Sequence, residues 1–417
     1  MMKIKTSSTE IFAITFYIWA LLPIFCAEYA GEKIRLIFSS FLVVAVGVSI
    51  LKVKGKAIVN KEGMILITLL IISFFVMDLV DYKEAHTYFS VILIFWLTYF
   101  LNIFMGTKSK ERLVKCLLLI FFITAVTSSI GVLINNDAAR TIAHAISDRS
   151  LQIEISKKNI AGIYLFQALV CATPAIVTIL AYLKKNFLIF IYLLLMLITL
   201  INASFSIALL VFFALFIIDL FVKSFQQVKK IEGIWKLIIV VLFIILFVFA
   251  GKKIMLGFSE MIGVDKVAER ITELSTILFD SSNSVMTGDA TERVALYKAS
   301  WNTFLNHWLF GVGPYYSFVK FQNGIGFHSQ ILDDLARFGI IAIAFYICFF
   351  RTYYKLLKKN WSLLGTNTVA ITITIAYMLF LLLNLGFRSH YESVIMFLVI
   401  PNLPLLIEKH QVKSAYK

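Results

Sequence analysis

Residues Thr291 to Gly339 read TERVALYKASWNTFLNHWLFGVGPYYSFVKFQNGIGFHSQILDDLARFG, and they gather polar, cationic and aromatic side chains in a chain that is otherwise mostly apolar. Arg293 opens a stripe of apolar residues whose spacing of three and four predicts a helix: Val294, Tyr297, Trp301, Phe304, Leu305 and Trp308. The turn at 311–314, Gly-Val-Gly-Pro, predicts a sharp end to that helix. From His328 onward, helical periodicity leads into the next apolar run.

The composition is that of an integral membrane protein. Of 417 residues, 60% are hydrophobic and 15% are charged, and the mean hydropathy is +0.89. A soluble domain is about 45–50% apolar and about 25% charged. The four cysteines lie in apolar runs without motif spacing, so we interpret them as packing residues: Cys26, Cys116, Cys171 and Cys348. The sequence predicts one all-α, polytopic membrane domain over residues 1–417.

Membrane-spanning helices need about 17–25 mostly apolar residues. Twelve segments approach this requirement, and the division of the run 187–222 depends on the polar break Asn202-Ala203-Ser204. We therefore predict about 12 transmembrane helices, at 11–27, 36–51, 63–80, 87–105, 116–134, 160–183, 187–203, 204–222, 235–250, 338–354, 367–386 and 393–407.

Lysine and arginine cluster in the connections between alternate spans, at 52–61, 108–115, 223–236 and 351–359. The positive-inside rule places such clusters in the cytoplasm. Both termini then lie there too, and the net charge of +15 is explained first by this topology. The opposite side receives three polar segments: 135–158, 251–329 and 388–392.

The outer loop 251–329, between the ninth and tenth spans, is the longest of these segments. Val267, Ile271, Leu274 and Leu278 recur at helical spacing, which predicts an amphipathic interfacial helix over 265–279. A second amphipathic helix follows from Arg293. We expect this loop to carry part of a functional site.

His328 and Arg293 are the first candidates for chemistry. His328 lies near a helix N-terminus, where a neutral imidazole can take a proton from an attacking hydroxyl. The alternative is an interfacial histidine that caps its own helix. Arg293 offers a planar fork suited to phosphate oxygens, and its alternative is pairing with Glu292 or Asp289.

Other cations on the outer side are candidates for anion binding. Arg149 lies beside Asp148, and Arg388 and His390 lie in a loop too short to fold alone. Charged groups between two spans mark either a site or a headgroup contact. For all three cations, a neighbouring acid or lipid headgroups provide the alternative partner.

Two further expectations concern helix ends. Lys157 and Lys158, at the mouth of the sixth span, either draw in a pyrophosphate or lie among lipid headgroups, and Asn159 is a candidate helix cap. Asp333 and Arg337, four residues apart, are expected to form an ion pair.

The sequence lacks the motifs of several enzyme classes. It has no Asp-x-Asp triplet for a nucleotide sugar and its metal, no Cys/His cluster for zinc, no P-loop and no Gly-x-Ser-x-Gly elbow. We therefore predict no metal and no cofactor. A lipid-linked donor fits this chain better than a nucleotide donor.

At these residues the sequence resembles the bacterial O-antigen ligase and O-antigen polymerase (Wzy-type) superfamily. The number of spans and the large late loop extend the resemblance over nearly the whole chain, and Asp148-Arg149 followed by Asn159 is similar to a second family block. The strongest motifs are Arg293-Val-Ala-Leu-Tyr297, Trp301, His307, Gly311-Val-Gly313-Pro314, His328 and Asp334 to Gly339.

The resemblance implies a GT-C-like glycosyltransferase in the bacterial inner membrane that works by metal-independent, inverting transfer, with the site facing the periplasm or outside. An undecaprenyl-diphosphate glycan is the donor. His328 is then the base, and Arg293 acts with it as a catalytic group. The residues that we expect to bind substrate are Arg149, Arg388, His390, Asn159, Lys158, Tyr297, Tyr316 and Lys320.

Two positions depart from the family pattern. A family Ser-Arg pair at the junction of the seventh and eighth spans corresponds to Asn202-Ala203-Ser204-Phe205-Ser206, which has no arginine. Arg388 is our candidate to replace that arginine. The frequent His-Asn pair of the family is His328-Ser329 here, so the histidine itself is retained.

The resemblance leaves the acceptor open. We favour a polymerase of surface polysaccharide, either O-antigen or capsule, that joins lipid-linked repeat units. The alternative is a ligase that attaches the glycan to lipid A-core of lipopolysaccharide. A flippase is less expected because the spans hold few ionisable residues. The expected partners are the lipid-linked oligosaccharide and membrane lipids, with a chain-length regulator protein as a further candidate; no nucleic acid is expected.

Overall fold

The computed structural model describes residues 7–25, 32–52, 94–134, 149–202, 206–226, 251–253, 256–257, 259–260, 268, 272, 275, 289–313, 324–384, 386 and 389–407. Within these ranges every regular element is a helix, in agreement with the all-α prediction. The chain divides into two compact units, which are Met1–Thr199 with Thr352–Asn367 and Phe387–Lys417, and Leu200–Arg351 with Thr368–Gly386.

The helices follow the apolar runs of the sequence. The first half of the chain contributes Ser8–Leu21, Glu32–Lys52, Ile94–Phe104, Thr107–Ile134, Arg149–Lys157, Ile163–Tyr182, Asn186–Asn202 and Ser206–Gln226. The second half contributes Asp289–Asn306 (the loop helix), Gln330–Phe338 (the short helix), Ile340–Trp361 (the following span) and Asn367–Leu383. The last helix runs from His390 through a π-helical stretch, Ile395–Val399, to Asn402.

In the part of the chain that the structure describes, four helices are long and apolar enough to cross a membrane: Lys33–Lys52, Thr107–Ile134, Tyr164–Tyr182 and Ile340–Leu364. Five shorter apolar helices accompany them, and the predicted spans 63–80 and 235–250 lie outside the described residues. The membrane-spanning helical architecture is therefore supported, while the count of twelve spans and the GT-C-like topology stay predictions. One described helix ends at Asn202 and the next begins at Ser206, while residues 203–205 of the predicted break lie outside the described residues.

Helix ends in the first unit are joined by polar contacts. Buried Glu10, near the start of the first helix, accepts hydrogen bonds from Arg112 and Ser109, near the start of Thr107–Ile134. Lys52, at the end of the second helix, donates to Thr9 at 3.0 Å. The first helix is thus parallel to Thr107–Ile134 and antiparallel to the second helix. This is the alternation of direction that the predicted spans require.

The region after the histidine differs from expectation. The periodicity from His328 continues for only nine residues, because the short helix ends at Phe338 and Gly339 adopts a φ of 59° before the following span begins. Most of the predicted amphipathic helix 265–279 lies outside the described residues. Among the described residues between Asp289 and Gly339, the loop helix and the short helix pack against each other.

Candidate active site

The loop helix packs through small and polar side chains rather than through its apolar stripe. Ser300 and Thr303 are 0% and 1% exposed, whereas Trp301 and Leu305 are 43% and 53% exposed. A small-residue face lets another backbone approach closely. Gly326 makes such an approach, because a Cβ there would lie 2.3 Å from the carbonyl oxygen of Leu296.

The residues before the short helix, Gly324 to Ser329, form the histidine segment. Two side chains of the loop helix hold it: Thr303 Oγ1 donates to the Gly324 carbonyl at 2.9 Å, and Ser300 Oγ accepts from the Gly326 amide at 2.8 Å. Both bonds are buried, where an amide or carbonyl without a partner is costly. The loop helix therefore fixes the backbone on the N-terminal side of His328.

Asp333 fixes the backbone on the other side of His328. Its Oδ1 accepts from Ser300 Oγ at 2.6 Å, and its Oδ2 accepts from the Ser329 amide at 3.2 Å. Burial raises the pKa of Asp333, and the Ser300 hydrogen bond and the Arg337 charge offset only part of this effect. The Ser300 hydroxyl thus links the Gly326 amide to the Asp333 carboxylate, and the same carboxylate accepts from the Ser329 amide.

His328 is half-buried between these two attachments. Its Nδ1 lies 2.9 Å from the Gly326 carbonyl oxygen, which accepts hydrogen bonds but cannot donate them. Nδ1 therefore carries the hydrogen of the neutral ring, and Nε2 carries the lone pair. His328 does not cap the short helix, because Ser329 is the N-cap and its hydroxyl accepts from the Leu332 amide at 3.1 Å.

Phe327, immediately before the histidine, adopts a φ of 55°. Few residues other than glycine, asparagine and aspartate enter this left-handed region, so the surroundings must stabilise it. The Arg337 guanidinium lies over the Phe327 ring, 5.2 Å from its centroid. This contact connects the histidine segment to the end of the short helix.

Arg293 and Tyr297 lie one turn apart on the loop helix, and both are half-buried. The Tyr297 hydroxyl donates to the Leu383 carbonyl at 2.6 Å, and it lies close enough to Arg293 to interact with its charge. Burial raises the pKa of Tyr297, the charge of Arg293 opposes that rise, and Asp333 adds to it. The structure therefore brings Arg293, Tyr297 and Asp333 into one electrostatic neighbourhood. The proposed acid partners of Arg293, Glu292 and Asp289, have no described side chains.

The expected ion pair between Asp333 and Arg337 is wrong. Arg337 donates to Asp334 instead, at 3.2 Å, and Asp334 also accepts from Tyr346 at 2.6 Å and from Gln330 at 2.8 Å. Asp333 points to the loop helix because Ser300 and the Ser329 amide already occupy its two oxygens. Spacing alone could not distinguish these acids, since i,i+3 and i,i+4 partners are both within reach.

The predicted glycine turn packs against the end of the short helix. The Val312 amide donates to Ala336 O at 3.0 Å, and the Gly313 amide donates to Arg337 O at 2.9 Å, which satisfies helix-end carbonyls. Gly311 has a φ of 69°, and a Cβ there would lie 2.2 Å from the Arg337 carbonyl oxygen. The turn prediction is confirmed over 311–313, whereas Pro314, Tyr316 and Lys320 lie outside the described residues.

The remaining candidates belong to the first unit. Arg149 begins the helix Arg149–Lys157, but its side chain is not described, and Arg388 lies outside the described residues. Lys158 pairs with Glu154 at 3.0 Å on an exposed surface, the weak i,i+4 kind of pair.

Asn159 does not cap the sixth predicted span, since Gly162 is the N-cap residue of Ile163–Tyr182. Three residues separate Asn159 from that helix, too far for a capping side chain. Asn159 instead forms a left-handed turn with a φ of 59°, and its side-chain amide donates to Thr127 Oγ1 at 2.9 Å. It therefore ties the turn to the helix Thr107–Ile134.

His390 is the first residue of the last helix, next to the N-cap Ser389. Its ring lies edge-on to Phe16, with 6.4 Å between centroids. Burial, with the charge of Arg35 added, lowers the pKa of His390 to about 4. The ring is therefore neutral at neutral pH and does not supply the positive charge that a diphosphate needs.

Sequence reasoning missed Ser300 as a functional support. The available signal was a small, polar helix face, Ser300 and Thr303 at i,i+3, opposite an apolar stripe that ordinary amphipathicity would have buried. Asp333 was noticed, but it was assigned to the wrong partner.

Residues 188–347 match the family model described as O-antigen ligase. The matched region includes the loop helix, the histidine segment, the short helix and the start of the following span. This match supports the O-antigen polymerase and ligase superfamily, as the sequence motifs predicted. A comparison with curated proteins returns no match.

Proposed function

We propose that the chain is a surface polysaccharide polymerase of the bacterial inner membrane. It transfers a glycan from undecaprenyl diphosphate to the end sugar of another lipid-linked repeat unit, with inversion and without a metal ion. The observation that carries the proposal is the His328 ring, whose Nδ1 is bound by Gly326 O so that Nε2 remains as a base. This ring lies within the region that matches the O-antigen ligase family.

The proposed reaction is a single displacement. The acceptor hydroxyl oxygen forms a bond to the anomeric carbon while the bond from that carbon to the diphosphate oxygen breaks. The hydroxyl proton passes to His328 Nε2, and the lipid diphosphate leaves with the electron pair. Attack opposite the leaving group inverts the anomeric carbon. General base catalysis of this kind typically contributes about 10²–10⁴-fold.

The leaving group needs cations more than it needs an acid, because a lipid diphosphate departs as a stable anion. We assign Arg293, whose side chain the structure describes, to the leaving diphosphate. Tyr297, one turn further along the loop helix, interacts with the charge of Arg293. Arg149 and Arg388 are proposed as the other diphosphate contacts.

A ligase is the second candidate, and the description of the matched family favours it directly. Both enzymes use the same donor and the same base, and they differ only in the acceptor. In the polymerase the acceptor is the end sugar of a lipid-linked repeat, and in the ligase it is a sugar of lipid A-core. The proposed membrane orientation of the chain, with both termini in the cytoplasm and the site outside, is compatible with either reaction.

The test uses the purified full-length enzyme with lipid-linked repeat units, alone or mixed with lipid A-core. The polymerase forms multimers from repeat units alone, and His328→Ala abolishes them while inserting and folding normally. If His328→Ala forms multimers at nearly the wild-type rate, then His328 is not the general base of the reaction. Transfer only when lipid A-core is present would establish the ligase instead.

A further inference from the structure

The loop helix and the turn after it expose five large apolar side chains, which we call the exposed aromatic face. Its members are 43% to 70% exposed: Trp301 43%, Leu305 53%, Trp308 55%, Leu309 43% and Phe310 70%. Trp301 and Leu305 lie on the side of the loop helix opposite Ser300 and Thr303, so neither is needed to pack that helix on the histidine segment, and the other three residues follow the helix in the turn after it. Several large apolar side chains exposed on one short segment indicate a binding surface.

This face continues into the surface of a membrane span. The Ile340 amide, the first of the following span, donates to Trp308 O at 2.8 Å. Gly339 lets the two backbones meet, because a Cβ there would lie 2.5 Å from Trp308 O. Ile340 and Ile347 on the span are 48% and 63% exposed, and the span meets the length and hydropathy needed to cross a bilayer. The exposed aromatic face therefore adjoins the lipid-facing surface at the first turn of that span.

The residue types on this helix fit the boundary between lipid and water. Tryptophan concentrates at membrane interfaces, where an apolar ring and a polar N–H meet different surroundings. Lys298, one turn before Trp301, is exposed, as are Asn302 and His307. An apolar face flanked by cationic and polar residues is the pattern of a helix that lies in the interface plane.

We propose that the exposed aromatic face binds the lipid headgroup and upper acyl region beside the start of the following span, and that it anchors the loop helix at that depth. Lys298 meets the phosphates of the headgroups. This anchor goes beyond the proposed function, since it holds for a polymerase and for a ligase alike.

The anchor has a consequence for the candidate site. The loop helix carries Arg293 on its first turns and holds the histidine segment through Ser300 and Thr303. A lipid-linked diphosphate lies at the depth of the phospholipid phosphates. Anchoring the loop helix in the interface therefore brings Arg293 to the height at which that diphosphate arrives.

Tryptophan fluorescence of the full chain in vesicles of phosphatidylcholine and phosphatidylglycerol tests the proposal. The double variant Trp301→Phe with Trp308→Phe keeps aromatic packing, and its spectrum subtracted from wild type isolates the two indoles. Lipids brominated close to the headgroup should quench most of this difference signal, and lipids brominated near the chain end should quench less. Acrylamide dissolved in the water should likewise quench this difference signal less than the lipids brominated close to the headgroup do.

A matched control is Trp361→Phe, because the Trp361 ring is 0% exposed and donates its N–H to Ile400 O at 3.1 Å. Its difference signal should resist both the brominated lipids and acrylamide. For the two loop-helix indoles, quenching by acrylamide but not by brominated lipid would place the face in water and overturn the proposal. Resistance to both quenchers would show that protein covers the face, either from this chain or from a partner, and would overturn it equally.

Discussion

The hydroxyl of Ser300 lies 2.6 Å from Oδ1 of Asp333, and the two residues are 0% and 1% exposed. Through this contact the loop helix and the short helix hold both ends of the backbone around His328. Ser300 accepts a hydrogen bond from the Gly326 amide on one side of His328, and Asp333 accepts one from the Ser329 amide on the other. The orientation of the His328 ring thus depends on a pair of residues that need not touch substrate.

Ser300→Ala tests this positioning role. The substitution leaves the Gly326 amide and one oxygen of Asp333 without their buried partner, a loss of about 1–3 kcal/mol in the free energy of unfolding. Because the His328 ring then loses its fixed direction, we expect kcat to fall about tenfold with little change in KM, since the substitution leaves Arg293, the proposed diphosphate ligand, in place.

The matched variant is Ser300→Thr, which keeps the hydroxyl and should restore most of kcat. A purely structural role would lower the melting temperature of Ser300→Ala without changing kcat of the folded fraction. Equal turnover of folded Ser300→Ala and folded wild type would therefore contradict the positioning role.

Asp333 should make stability fall as pH rises. Its folded-state pKa is raised by burial, so the folded protein binds the proton more tightly than the unfolded chain does. The favourable contribution is complete below the unfolded pKa of about 3.9 and is lost as pH rises through the folded pKa. Asp333→Asn cannot titrate there. Thermal unfolding in detergent should show wild type losing stability relative to Asp333→Asn over this acidic window, and a relative gain with pH would contradict the assignment.

The sequence predicted those parts of this region that depend on local backbone chemistry. The turn at Gly311 and Gly313 follows from residue types that end helices. The position of His328 beside a helix N-terminus followed from periodicity. These features need no knowledge of distant parts of the chain.

The errors concern contacts between residues far apart in sequence. Asp333 bonds to Ser300, 33 positions away, and no local pattern reveals that partner. Asn159 turns toward Thr127, 32 positions away, instead of capping the next helix. The apolar stripe with Trp301 was identified correctly as a helix face, but periodicity cannot tell whether protein or lipid covers such a face.

Gly311→Ala should destabilise the protein more than Gly313→Ala does. Both glycines have a positive φ, 69° and 84°, which costs an L-residue about 1–2 kcal/mol. Only at Gly311 would the new Cβ also meet backbone, at 2.2 Å from Arg337, whereas nothing lies within 4 Å at Gly313. The melting temperature in detergent measures both variants. Equal losses would mean that the close approach of the turn to the short helix does not contribute to stability.

The topology prediction is tested by reporter fusions. We expect a reporter that is active only in the periplasm to be active when fused at Asn283 and silent when fused at Lys413. Both positions lie outside the described residues, and the expectation follows from the clustered lysines and arginines of the short connections. An active fusion at Lys413, or a silent fusion at Asn283, would contradict the predicted topology.

The last prediction concerns Arg388. The family that the sequence resembles commonly places an arginine where this chain has Phe205. The diphosphate of the proposed donor carries about two to three negative charges, and such a charge left unpaired in a partly dehydrated cleft costs several kcal/mol. Another cation should therefore contact it, and Arg388 lies in the short loop between the last two predicted spans. Arg388→Ala should reduce kcat/KM at least about tenfold, which corresponds to about 1.4 kcal/mol of transition-state stabilisation.

Lys115→Ala provides a control for the loss of one positive charge, because Lys115 pairs with Glu111 at 2.9 Å and has no role in the proposed reaction. It should retain wild-type turnover. Arg388→Lys keeps the charge but loses the planar fork, so its activity should fall between wild type and Arg388→Ala. The rival hypothesis is that Arg388 pairs with Glu392 or with lipid headgroups. Under that hypothesis Arg388→Ala turns over lipid-linked repeats as fast as Lys115→Ala does, and the missing arginine is supplied elsewhere.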